Sequence, residues 1–311
     1  MHVTGMPVTI ELVRQLVDAQ FPHLAIMPLR SLDATGSSNF QFRLGDDLIV
    51  RLPRLPNSSA TIEKEAYWTP IIGKSLPVAV PVCVGVGEPA FDYSEKWSIV
   101  RWLDGQHPSV WTPAEAPTNS NSVDQSQLAK DLADVILALR SIDVSDAALR
   151  ESSLKNYRGR PLENHDRSLR ENIEQCRAID GLELDLDAAL DLWEEALSTS
   201  NDTGIRKDRW YHGDLVAENL LLTNDRLTAI LDLGGLGVGD PTIDLIGAWE
   251  LLDPPARDIL REKVAVSDAE WMRGRAWALA VAIMTFPYYW NTMSGRVDDR
   301  LAMARSVLAN E

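Results

Sequence analysis

WYHGDLVAENLLLTNDRLTAILDLGGLGVGDPTIDL, residues 210–245, is the most chemically loaded stretch of this 311-residue chain. Asp214 closes the tripeptide His212-Gly213-Asp214, Asn219 follows five residues later, and Asp232 comes thirteen residues after that. Between the last two, the apolar run Leu220-Leu221-Leu222, the pair Asn224-Asp225 and the run 227–231 read as two short strands joined by a tight turn. Such a hairpin would bring Asn219 and Asp232 to one end, beside the loop that carries Asp214. Asp, Asn and Gly favour turns in any protein, so each element alone says little. Their order and spacing say more.

Phosphoryl transfer asks for a carboxylate beside the attacking hydroxyl and for hard oxygen ligands to the magnesium ions that neutralise the phosphates. Asp214 suits the first task, Asn219 and Asp232 the second. The order H-G-D-x-x-x-x-N followed by I/L-x-D resembles the catalytic and metal-binding loops of the aminoglycoside and macrolide phosphotransferases, a branch of the protein-kinase-like fold. Gly237 to Leu245, G-x-G-D-P-x-x-D-L, is similar to the next motif of that family. The resemblance implies an α+β, two-lobed kinase-like fold: a small sheet lobe over residues 1–103 for the nucleotide, and a larger, mainly helical lobe over 104–311 for catalysis and acceptor binding. It implies Mg2+ as cofactor and ATP or GTP as phosphoryl donor. It also implies His212 as a support of the loop, with Asp240 and Asp244 bracing it and capping the next helix.

Outward to the N-terminal side, residues 8–20 place Ile10, Val13, Leu16 and Val17 on one helical face. Strand-like pieces follow at 25–30, 40–44 and 48–52, the last two joined by the turn Gly45-Asp46-Asp47, then a helical run at 60–74 and strands at 80–86 and 97–102. A kinase-like enzyme needs a loop over the phosphates, a cation on the third strand and a helix glutamate to hold it. Gly36, Ser37, Ser38 and Asn39 lie between two strand candidates and can offer backbone N–H groups to phosphate. Arg51 stands where the family usually shows lysine, and Glu65 is placed to be its partner. A guanidinium is a planar fork rather than a compact ammonium, yet it pairs with phosphate and carboxylate bidentately. Arg54 competes for the same role. The stretch Val100 to Gly105 looks like the interlobe hinge, where Arg101 and Leu103 would meet a purine; adenine and guanine are both compatible with it.

On the C-terminal side, the Pro-, Ser-, Thr- and Asn-rich residues 108–127 read as a loop. Helices are expected from Leu128 onward and at 166–177, 187–198, 242–252, 256–264, 268–286 and 298–309, broken by Pro254-Pro255 and Pro287. Only seven residues separate Asp232 from Asp240-Pro241, which leaves no room for a protein kinase's activation segment, and no A-P-E motif follows. The acceptor is therefore expected to be a small molecule. The formal net charge of -16 argues against a nucleic-acid partner and tolerates a cationic one. Glu250 and Asp253, less than three helical turns beyond Asp244, are the carboxylates expected to hold an amino sugar beside Asp214. Trp249, Trp271, Trp277, Tyr288, Tyr289 and Trp290 would instead suit a macrolide.

The expected function is thus a small-molecule kinase for an aminoglycoside or related antibiotic. A macrolide kinase and a metabolic kinase for choline, homoserine or a methylthio-sugar are the alternatives, and a catalytically silent kinase-shaped binder is the reading from another class. Loss of Asp214 or Asp232 would mark that last class, and both are present. Two cysteines, Cys83 and Cys176, are too few for a disulfide framework. No basic n-region with an apolar run opens the sequence, and no apolar stretch reaches membrane-spanning length. A cytoplasmic monomer or weak dimer, with no membrane partner, is expected.

Overall fold

The computed structural model describes residues 8–32, 38–112, 124–200 and 208–309. The chain divides into two compact units: Met1–Gly105 with Ala229–Gly234, and Gln106–Thr228 with Gly235–Glu311. The class is α+β. No helix among the described residues is long and apolar enough to cross a membrane.

The first unit opens with α1 (Ile10–Gln20), followed by β1 (Leu29–Ser31), β2 (Asn39–Leu44), β3 (Leu48–Pro53), α2 (Ser59–Ile72), β4 (Cys83–Gly87) and β5 (Trp97–Arg101). The Thr9 hydroxyl caps α1 by accepting from the Leu12 N–H at 3.3 Å. The strands form one antiparallel sheet in the order β1-β2-β3-β5-β4. Gly45, at φ +61°, supplies the left-handed residue of the β2–β3 turn. Leu48, Val50 and Leu52 of β3 join Val13, Leu16 and Val17 of α1, with Trp97 and Ile99, in a single core. Because β3 is central it is buried on both faces; its one charged residue, Arg51, lines a recess shared with Ile62 and Glu65 of α2. The strands expected at 25–30 and 80–86 start only at Leu29 and Cys83, just beyond Pro28 and Pro81. Proline lacks the N–H that a ladder needs.

The second unit holds α3 (Gln125–Ser141), α4 (Asp146–Arg150), α5 (Asp166–Arg177), α6 (Leu186–Ser200), β6 (Arg209–Tyr211), β7 (Leu220–Thr223), β8 (Arg226–Ile230), β9 (Gly237–Gly239), α7 (Gly247–Leu251), α8 (Pro254–Val264), α9 (Asp268–Tyr289) and α10 (Ser294–Leu308); the last two residues of β8 count with the first unit. β6 pairs with β9, and β7 with β8. Asn224 and Asp225 both take positive φ, +51° and +59°, the signature of a two-residue hairpin turn. The helix expected over 242–252 is instead a 3-10 turn, Pro241–Ile246, running into the short α7. Pro254 and Pro255 do not break a helix but open α8, where a missing N–H has no intrahelical partner to lose.

The central helix of this unit is α9, buried without interruption from Ala276 to Ile283 and packed against α5, α6 and α10. Gly274 lets it pass the 3-10 turn, since a Cβ there would lie 2.7 Å from that of Leu245. Pro287 was expected to end α9 but sits inside its last turn. The Ile283 carbonyl, which proline cannot serve, takes the Cys176 thiol at 3.6 Å instead, and burial pushes that thiol up to about 12.

Ile99 is fully buried in the core of the first unit. Ile99→Ala should cost about 2–5 kcal/mol of stability through lost burial and the cavity left behind. Urea unfolding followed by tryptophan fluorescence checks this, and a change within experimental error would show that β5 is not part of the stabilising core.

Candidate active site

The loop that carries Asp214 begins where β6 ends. Gly213 adopts φ +88°, and a Cβ there would approach the Gly235 carbonyl oxygen to 2.9 Å, so the turn requires glycine. Asp244, 1% exposed, accepts from the backbone N–H groups of His212 at 2.9 Å and Gly213 at 2.7 Å. Burial pushes the Asp244 carboxyl above its ordinary range, against the pull of His212 and these two amides. His212 is buried, and its Nδ1 accepts from the Asp214 N–H at 3.1 Å. Asp240 caps the following 3-10 turn through the Thr242 N–H at 3.0 Å and pairs with Arg273 Nε at 3.1 Å. All three side chains are buried.

Each oxygen of Asp214 has a partner. Arg158 Nη1 donates to Oδ1 at 2.5 Å, and Asn219 Nδ2 donates to Oδ2 at 3.0 Å and to the Asp214 carbonyl at 2.9 Å. Burial alone would raise the Asp214 carboxyl, but the guanidiniums of Arg158 and Arg300 outweigh it and hold the group below its usual range. With its NH2 turned to Asp214, Asn219 keeps its Oδ1 without a partner among the described residues. That is the orientation a cation would need.

The first unit holds the other charged set. Arg51 Nη1 donates to Glu65 Oε2 at 2.5 Å, and Arg51 Nη2 lies 3.6 Å from Asp232 Oδ1. Burial opposes the Arg51 charge, yet Glu65 and Asp232 raise its pKa; burial likewise pushes Glu65 up, with Arg51 opposing. Asp232 sits at φ +54° with its side chain 36% exposed, and its Oδ1 accepts from the Gly234 N–H at 3.3 Å. Lys64, unforeseen from the sequence, is buried and donates to the Gly234 carbonyl at 2.6 Å. A helix lysine reads as solvated, so nothing local announced that contact.

Each unit offers an oxygen of the kind that Mg2+ takes. Asn219 Oδ1 and the Asp232 carboxylate are hard oxygens, and Mg2+ keeps several waters and needs only one or two protein oxygens. Among the described residues no group of three His, Cys, Asp or Glu could hold a softer ion. Of the phosphate-loop residues, Gly36 and Ser37 lie outside the described residues. The Ser38 and Asn39 carbonyls accept from Arg54, from its N–H at 2.9 Å and its Nε at 3.2 Å respectively, which ties Arg54 to the start of β2. The Arg101 N–H donates to the Val82 carbonyl at 2.9 Å, and the Leu103 backbone has no partner among the described residues.

The structure corrects Glu250 and gives Asp253 a capping role. Glu250 is fully buried: Oε2 accepts from the Ala217 N–H at 2.7 Å and Oε1 is paired with Arg300. It braces the catalytic loop from behind and cannot meet a substrate. Asp253 is the N-cap of α8, accepting from the Ala256 N–H at 2.9 Å, a role that the following Pro254-Pro255 could have announced. Arg158, Glu218, Arg296 and Arg300 were not anticipated. Glu218, one residue before Asn219, pairs with Arg296 at 2.5 Å and Arg300 at 3.2 Å; the only local signal was the i,i+4 spacing of the two arginines on α10.

A sequence model of the phosphotransferase enzyme family matches residues 31–278. No curated protein matches the chain significantly. Among solved structures, the GDP complex of wild-type aminoglycoside 2'-phosphotransferase-IIIa matches with a TM-score of 0.70 at 20% identity, over 96% of this chain and 98% of that one. The streptomycin-ATP-APH(2")-IIa ternary complex matches at 0.61 and 17%, over 97% and 99%. The apoenzyme of macrolide 2'-phosphotransferase MphH from Brachybacterium faecium matches at 0.60 and 20%, over 97% and 99%. At these identities the likeness is one of fold, and the shared fold is kinase-like.

Burial pushes Glu250 up to about 7, opposed by Arg300 and the Ala217 N–H. This lies above the value of an unfolded glutamate, about 4.3, so the folded chain binds the extra proton between the two. The resulting stabilisation is full below the unfolded value and is lost as pH rises through about 7. Urea unfolding between about pH 5 and pH 8 should therefore show wild type losing stability relative to Glu250→Gln as pH increases. Parallel profiles would contradict the assigned environment.

Proposed function

Because the chain belongs to the phosphotransferase enzyme family, we propose that it is a small-molecule kinase moving the γ-phosphoryl of ATP or GTP to a hydroxyl of an aminoglycoside or related antibiotic. The observation that carries this reading is the joint pose of Asp214 and Asn219: a carboxylate kept ionised on a rigid loop, and an amide whose free oxygen is turned outward.

The acceptor hydroxyl hydrogen-bonds to Asp214, which aims its oxygen at the γ-phosphorus. The new P–O bond forms, the bond to the β–γ bridging oxygen breaks, and the nucleoside diphosphate leaves with that electron pair. The hydroxyl proton passes to Asp214. Held below the usual carboxylate range, Asp214 is a weak base, so its main work is orientation and the proton moves late. Asn219 and Asp232 would hold Mg2+, which neutralises phosphate charge when bound. Arg51, fixed by Glu65, pairs with phosphate oxygens, and the open backbone of Leu103 meets the purine.

With Glu250 buried and Asp253 acting as a cap, the aminoglycoside reading rests on the fold and on neighbours bound to such compounds, not on those two side chains. A macrolide is the second reading, supported by the ring of Tyr157, 45% exposed beside Arg158. Incubating the protein with nucleotide and panels of aminoglycosides, macrolides and small alcohols, with mass spectrometry of products, separates them. A polycationic acceptor should also show KM rising with salt, a neutral one should not.

Asp214→Asn should lower kcat by about 10²–10⁴-fold, with nucleotide affinity kept. Most of kcat surviving in the folded variant would remove Asp214 from its role. Asp232→Ala should weaken magnesium–nucleotide binding in calorimetry, and an unchanged affinity would argue against that metal ligand.

A further inference from the structure

We infer that Arg158 is a catalytic residue of this transfer, a guanidinium brought from outside the catalytic loop to hydrogen-bond the oxygens of the phosphoryl group in flight. The inference rests on the phosphotransferase reading above. In the loose transition state of phosphoryl transfer, charge spreads over the three equatorial oxygens, and catalysis is mostly positioning and electrostatic stabilisation. The loop itself, His212 to Asn219, contains no lysine or arginine. Among the described residues, Arg158 is the one cationic side chain hydrogen-bonded to Asp214.

Its geometry is that of a group held on two edges and open on the third. Nη1 donates to both the Gly213 carbonyl and Asp214 Oδ1, each at 2.5 Å, and Nε donates to the Tyr157 hydroxyl at 2.8 Å. Nη2 has no partner among the described residues, nor is it an enclosed orphan, because the side chain is 20% exposed next to an Asp214 that is 23% exposed. A guanidinium is planar, so fixing two of its nitrogens fixes the direction of the third. Two N–H bonds are thus aimed from beside Asp214 into the same open space.

The backbone around Arg158 is equally constrained. The Asn156 side chain accepts from the Arg158 N–H at 3.2 Å, and the next residue, Gly159, accepts from the Asp240 N–H at 2.9 Å. The turn is tied to the segment that follows the catalytic loop, so little reorganisation is needed at the moment of reaction. Its charge is secure, since Asp214 and Tyr157 more than offset the effect of burial. If Arg158 served only to position Asp214, the Nη1 edge would suffice and Nη2 would have no use.

The test uses the full chain with Arg158→Gln and Arg158→Lys, and three readouts: affinity for magnesium with ADP or GDP, affinity for the same nucleotide with aluminium fluoride standing in for the phosphoryl group, and hydrolysis of nucleotide with water as acceptor. Arg158→Gln should leave diphosphate affinity near wild type while losing about 10²–10³-fold in aluminium fluoride affinity and in hydrolysis, as when one donor to developing charge is removed. Arg158→Lys should recover part of both. It carries the comparison alone if circular dichroism shows Arg158→Gln to be unfolded, and it must then fall below wild type in aluminium fluoride affinity but not in diphosphate affinity. Equal losses with and without aluminium fluoride, or none, would overturn the inference and leave the phosphotransferase reading standing. So would an effect confined to KM for an anionic acceptor. A wild-type protein that neither binds nor hydrolyses nucleotide would overturn both.

Discussion

The His212 and Gly213 amides, 2.9 and 2.7 Å from the oxygens of one buried carboxylate, are the fixed point around which the catalytic loop is built. Without Asp244, two buried N–H groups would go unpaired, each at a cost of about 1–3 kcal/mol. With it, the backbone turns at a glycine whose φ no side chain would favour, the Asp214 N–H falls on His212 Nδ1, and the carboxylate of Asp214 emerges in a single orientation. Glu250 repeats the device a few residues on, taking the Ala217 N–H and tying it through Arg300 to α10. The loop thus hangs from two buried acids, neither of which reaches solvent.

The charge pattern follows from that construction. The chain is acidic overall, at -16, yet in the second unit the acids near Asp214 are matched by guanidiniums: Asp214 by Arg158, Glu218 by Arg296 and Arg300, Glu250 by Arg300. A buried charge is tolerated only when it is paired and hydrogen-bonded, so these arginines are a condition for keeping the carboxylates inside. The net charge of the sequence therefore describes the surface better than it describes the site, and it does not fix the charge of the acceptor.

What was legible in the sequence was local. The hairpin between Asn219 and Asp232 could be read because Asn224-Asp225 admits positive φ at both positions and the flanking residues are apolar. Arg51 and Glu65 could be paired because the order of strand and helix sets their relation, and they meet at 2.5 Å. The burial of Glu250 and the capping role of Asp253 were not legible because helical spacing from Asp244 was assumed where the chain makes a 3-10 turn, a short helix and a fresh helix start at Pro254. Arg158 and Arg300 stayed hidden for another reason: they meet Asp214 and Glu250 across 56 and 50 residues of sequence, and no periodicity encodes a contact made by packing.

The proposed kinase would hold a magnesium–nucleotide through Asn219 and Asp232, with Asp214 orienting the acceptor hydroxyl. The most direct test is a crystal structure of the protein with Mg2+ and a non-hydrolysable triphosphate. The account predicts Mg2+ at about 2.0–2.1 Å from Asn219 Oδ1 and from an Asp232 carboxylate oxygen, with the γ-phosphate facing Asp214. A nucleotide bound with its metal on other residues, or with Asp214 turned away from the γ-phosphate, would contradict it.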